Sequence, residues 1–157
     1  MLSTWFASPS TSSTQYGSTC EAAAELLIQL DFYCEFLEII CNLKDKHTFT
    51  NIEQNVYSGL HNEPTLTELS VLALYAQDIT HPYMCQVHGH VSADTNLCDL
   101  GSVHNKVIAH CHAIIANPDH LLLPKASYES RSMDHKIWEW PDAFYAVHKL
   151  APRLLHL

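Results

Sequence analysis

The stretch CQVHGHVSADTNLC, residues 85–98, gathers four side chains able to ligate a metal: Cys85, His88, His90 and Cys98. Zinc takes four such nitrogen and sulfur donors in a tetrahedron, and small sites pair closely spaced ligands across a loop. Cys85 and His88, three apart, would share a helix face, and the loop beyond Gly89 would bring round His90 and Cys98. The spacing C-x2-H-x-H-x7-C matches no standard finger or knuckle, however, and 12 of the 157 residues are histidine. Unpaired loop residues are therefore the preferred reading and no cofactor is expected, with a small zinc-binding module as an alternative.

Other reactive residues do less. Cys111 and His112 suggest a thiol nucleophile with its base, but helix neighbours point about 100° apart, so His112 cannot serve Cys111. His104 and His112 lie eight residues apart, over about 10 Å along a helix axis. The i, i+4 spacing of helical metal pairs falls on Ile108 between them. No Gly-rich phosphate loop, GxSxG elbow, HExxH or kinase signature occurs. No catalytic residue is assigned.

The elements that must carry these side chains are helical. A hydrophobic share of 47%, 16% charged residues and only four glycines fit a globular all-α domain better than a barrel or sandwich. We expect an irregular domain of about five to six helices with long loops and no transmembrane segment. Residues 1–18, rich in serine and threonine and without charge, read as a disordered tail. Residues 19–157 read as one helical domain, or as a fragment of a larger protein, since the chain closes on the apolar RLLHL. No secretory or arginine-rich leader is visible, so cytoplasm or nucleus is the default. In such a compartment the six cysteines are expected to be free thiols.

The strongest pattern is a helix over 19–44, opened by a capping box of Ser18 and Glu21. Leu26, Leu30, Tyr33, Leu37, Ile40 and Cys41 share one apolar face. A second stripe, Ile28, Phe32, Phe36, Ile39 and Leu43, is set apart from it by Asp31, Glu35 and Glu38. Two seams imply either a central helix packed on both sides or one seam that docks another chain. The acids exclude a membrane span.

Further along, Thr50 and Glu53 have capping-box spacing and Gly59 is expected to stop that helix. Thr65 and Glu68 repeat the spacing ahead of a core helix over about 66–80. Pro82 is expected to break this helix and start a short one ending at His88. Asp99 would cap a helix over about 100–116, with Leu100, Val103, Val107, Cys111 and Ile114 facing inward. Pro118 disfavours helix at Asn117. Residues 124–140 look irregular, and Pro141 opens a last helix that Pro152 terminates. The aromatics of IWEWPDAFYAV, 137–147, are expected to pin the irregular segment to the core, with anchoring of a partner as the rival reading.

Charge narrows the function. Residues 1–100 carry two lysines against twelve acids, a balance of −10, and residues 101–157 carry six basic residues against five acids, a balance of +1. No basic stripe is present for phosphates, so direct nucleic-acid binding is not expected. A protein partner or self-association remains the expected mode of action.

The segments TELSVLALYAQDITHPYM (67–84), DLGSVHNKVIAHCHAIIANPDHLL (99–122) and ASYESRSMDHKIWEWPDAFYAVHKLAP (126–152) resemble uncharacterised, multi-copy proteins of mushroom-forming fungi associated with transposon-like sequences. The resemblance spans roughly 47–157 and rests on helix patterns. It implies a piece of a mobile-element protein with a nuclear location and transfers no catalytic residue, because the metal-binding acids of a transposase do not map here. The favoured expectation is a non-enzymatic helical interaction domain. Its alternative is the remnant of a transposase or nuclease whose active site lies elsewhere.

Overall fold

The computed structural model describes residues 18–88, 100–123, 127, 132–136 and 138–154. Among them all regular structure is helical, as the patterning predicts, and no helix is long and apolar enough to cross a membrane. The Ser/Thr-rich stretch ahead of Ser18 lies outside these residues.

The first helix departs from expectation. In place of one rod over 19–44 there are two helices, α1 (Ser18–Ile28) and α2 (Leu30–Leu43), jointed at Gln29 with φ −105° and ψ 18°. The bonds from Gln29 N–H to Glu25 and from Tyr33 N–H to Gln29 persist across the joint. The run EAAAELL makes α1 slender. Ala23, Ala24 and Leu27 are buried, and the absence of bulk at the two alanines lets α4 (Glu63–Tyr75) approach closely. The helix α8 (Pro141–Leu150) covers another side of α1.

These three helices enclose the core. Ala24, Leu27, Leu30, Leu66, Ala73 and Leu74 meet Ala143, Phe144, Val147 and Leu150, and Trp138 closes the cluster edge-on to Phe144, with ring centroids 5.1 Å apart. Burying a side chain the size of the fully enclosed Leu66 stabilises the fold by about 1.5–3 kcal/mol. Leu26, Tyr33 and Leu37 of the first face pack partly against the same cluster.

α3 (Asn51–His61) leans on α2 and starts with the expected capping box. Thr50 Oγ1 accepts from Glu53 N–H, and the Glu53 carboxylate accepts from Thr50 N–H at 2.7 Å. Lys44 also binds that carboxylate, and together these bonds hold Glu53 below the usual carboxylate range. Gly59 does not end α3. It lies in the last turn, and its carbonyl accepts from Asn62 N–H. Nor does Thr65 cap the next helix. Asn62 does, its side chain accepting from Thr65 N–H at 3.0 Å, with Pro64 in the first turn, where a missing N–H costs nothing.

Pro82 does not break the chain's helical path. α4 runs on through a π-helical turn, Ala76–Thr80, into α5 (His81–His88). Proline lacks an N–H and its ring clashes with the carbonyl four residues back. The wider turn, in which His81 N–H bonds Ala76 five residues back, moves the ladder out of register and accommodates the ring.

α6 (Gly101–Ala116) crosses beside α5, and Asn117 ends it at φ −150°, as expected before Pro118. Leu100, Val103, Val107, Cys111 and Ile114 lie on its sheltered side but are only half-buried. Asp99, its expected cap, lies outside the described residues. A short α7 (Asp119–Leu122) follows, with Leu121 buried. A 3-10 turn, Met133–His135, is held by Lys106 of α6, whose ammonium donates to Asp134 at 3.1 Å. Pro141 opens α8 and the helix ends at Leu150, both as expected, with Pro152 inside a following 3-10 turn, Ala151–Arg153.

Candidate functional site

The expected ligand set is only partly placed. Cys85 is exposed on α5, His88 closes that helix, and His90 and Cys98 lie outside the described residues. No group of three or more metal-capable side chains comes together among the described residues. Cys111 is a free, half-buried thiol. Among the other described cysteines, burial pushes Cys20 and Cys34 up, and the neighbouring carboxylates of Glu21, or of Asp31 and Glu38, push the same way. Neither is a ready nucleophile.

The π-helical turn assembles a polar centre that sequence spacing does not reveal. It turns Gln77 and Asp78 inward, both about 1% exposed. Gln77 Oε1 accepts from Trp140 N–H at 2.9 Å and so tethers the start of α8 to the end of α4. Asp78 Oδ2 lies 2.8 Å from Nε2 of His110 on α6, a pair 32 residues apart in the chain. Burial pushes the Asp78 carboxyl up, and the His110 proton only partly opposes this. The hydrogen bond to Asp78 pushes His110 up against the opposite pull of its own burial. This 2.8 Å contact closes α6 onto the π turn.

A carboxylate orienting an imidazole is two-thirds of a general-base constellation. Among the described residues no hydroxyl or thiol completes it at the other ring nitrogen, and the pair joins two elements. Elsewhere in the core and on this turn, Ser70 Oγ, Asp78 Oδ1, His81 Nε2 and Trp138 Nε1 are buried with no hydrogen-bond partner among the described residues. His81 Nδ1 faces Glu139 at 2.8 Å. Two clefts open between these elements and α6. One of about 210 Å³ is lined by Val71, Leu74, Tyr75, Ile79 and Ile114, with Asp78 in its wall. The other, of about 330 Å³, shares Tyr75 and Ile79 and is bordered by Tyr83, whose hydroxyl lies 3.1 Å from His104.

The second seam of the first helical region meets a different fate from the first. Ile28, Phe32, Phe36, Ile39 and Leu43 are 38, 57, 48, 49 and 80% exposed. The expectation of cover on both sides therefore fails along the second stripe, which stays open from Ile28 at the end of α1 to Leu43 at the end of α2. Phe32 and Phe36 stack with centroids 6.2 Å apart, which keeps the stripe continuous. Of the 137–147 aromatics, Trp138 and Phe144 are buried and pin the chain, whereas Tyr145 is 58% exposed on the α8 flank of the seam.

Comparison with protein-family models, with curated proteins and with solved structures returns no match. The resemblance to transposon-associated fungal proteins therefore rests on the quoted segments alone.

Proposed function

We propose that this chain acts by association, with the outer face of α2 as its docking surface. The exposed seam carries the reading. Four large apolar side chains of α2, continued by Ile28 at the end of α1, lie open in one stripe, in a fold that buries leucines and a tryptophan elsewhere. Single exposed hydrophobes are ordinary on a protein surface, but a continuous row is the anchor pattern of helix-in-groove and coiled-coil recognition.

The stripe contributes little to the fold, so its side chains are available to a partner without unfolding. The core contacts of this region come from Leu27 and Leu30, with Tyr33 and Leu37 partly packed behind. Sedimentation velocity and binding assays on the parent and on a Phe32→Ser/Phe36→Ser double variant test the reading. Association of the parent that disappears in a folded double variant supports it. Association that survives the double substitution refutes it.

A further inference from the structure

We infer that the occupant of this seam is an amphipathic helix of another protein whose flanks are basic, and that a second copy of this chain is disfavoured. The inference rests on the docking role proposed for α2. Geometry sets the occupant's shape. Phe32, Phe36, Ile39 and Leu43 advance by four, three and four residues, the a/d rhythm of a helix that pairs with a helix. Ile28 extends the row across the joint at Gln29, so the stripe spans about 22 Å, some four helical turns.

Charge sets its chemistry. Asp31, Glu35 and Glu38 run along one margin of the stripe. At the Ile28 end the seam opens into a cleft of about 280 Å³ between the α1–α2 joint and α8. Leu27, Leu30 and Tyr145 line it, together with Asp31, Asp142 and Lys149. Lys149 donates to Asp31 at 2.6 Å, in an exposed pair that solvent screens. Asp142 has no partner among the described residues. At the far end Lys44 is engaged by Glu53. The docking face thus offers carboxylates in excess, and its apolar floor lowers the local dielectric beneath them.

Two copies of a chain with net charge −9, paired through this seam, would bring their acidic margins together, and like charges across an interface oppose association. An anionic membrane surface meets the same repulsion. A helix with leucine or phenylalanine on its seam and lysine or arginine beside it instead fills the apolar row and pairs Glu35 and Asp142. Its terminal cationic side chain reaches the cleft with its methylenes on Leu27 and Tyr145.

The test uses the full chain and two fluorescein-labelled synthetic helices that share one leucine seam, one flanked by lysines and the other by glutamates. Anisotropy titration at low salt should show the lysine helix binding at least about tenfold tighter, with the gap closing as salt shortens the screening length. A Glu35→Lys/Asp142→Lys variant with unchanged melting should lose about that factor for the lysine helix, since each lost pair contributes modestly. Equal affinity for the two helices, or no loss in the charge-reversed variant, overturns the basic-partner inference. A parent that sediments as a dimer, and that Phe32→Ser/Phe36→Ser converts to a folded monomer, overturns it too, while leaving the docking role of the seam intact. Binding of either helix that is indifferent to Phe32→Ser/Phe36→Ser defeats both.

Discussion

Replacing His110 by alanine removes the only partner Asp78 has among the described residues and leaves a carboxylate that is 1% exposed without its cation. Breaking a buried pair by deleting one member costs about 3–5 kcal/mol. The His110 side chain retains about 20% exposure, and water entering the gap relieves part of that cost, so about 2–4 kcal/mol is expected. For a chain of this size each kcal/mol moves the midpoint by about 2–4 °C, which places the drop in melting temperature at roughly 5–15 °C. Asp78→Asn keeps an acceptor for the imidazole and should cost less, about 1 kcal/mol.

The pH dependence follows from the direction of both shifts. His110 is raised in the fold, so its stabilisation is fully present below about pH 6.5, the unfolded value, and is lost as pH rises through the folded value. Asp78 is raised as well, so the fold binds its proton more tightly than the unfolded chain does and is weakened as that proton leaves. Without His110, the buried acid alone carries this second penalty. The deficit of His110→Ala should therefore widen as pH rises from about 3.9 towards about 6.5, the unfolded values of the two groups, as the lone carboxyl is forced to ionise. Thermal melts of parent and variants across this range measure it. A variant melting within about 2 °C of the parent at every pH would show that the pair does not join α6 to the π turn.

Leu30→Asp should unfold the domain, because an unpaired carboxylate placed among Leu27, Val147 and Leu150 costs several kcal/mol against a total of about 5–15; native circular dichroism in this variant would remove Leu30 from the core. Ser70→Ala should melt at or a few degrees above the parent, since the Ser70 hydroxyl is fully buried with no bond to lose among the described residues, whereas a clear drop would reveal a partner for it. Protein purified without added metal should carry far less than one zinc per chain and should melt the same with chelator. A stoichiometric zinc that vanishes in Cys85→Ser or Cys98→Ser would establish the site, since structural zinc contributes about 10 kcal/mol or more.

What was legible in the sequence was whatever short-range chemistry decides. The Thr50–Glu53 box, Asn117 before Pro118 and the entry of α8 at Pro141 depend on side chains within three residues of the feature. The acids that divide the two seams were equally plain, and the structure leaves the outer seam open. What escaped is set by distant partners. Gln29 is a good helix former with no glycine or proline beside it, so nothing local marks the joint between α1 and α2. Pro82 argued for a break because the sequence does not show that a π turn can absorb it. That turn is held by contacts 32 residues away through His110 and 63 residues away through Trp140. Asp78 lay inside an apolar run, and an acid in such a place was the one available hint of a buried pair.

The docking role of α2 stands or falls on whether Phe32 and Phe36 are spectators of the fold. Thermal melting of the Phe32→Ser/Phe36→Ser double variant, read beside its binding of a solvatochromic hydrophobic dye, measures this directly. With both rings about half exposed, the midpoint should stay within a few degrees of the parent and dye binding should fall. A collapse of the midpoint by more than about 10 °C would contradict it, because truncating a phenylalanine costs about 3–5 kcal/mol only where the ring is buried.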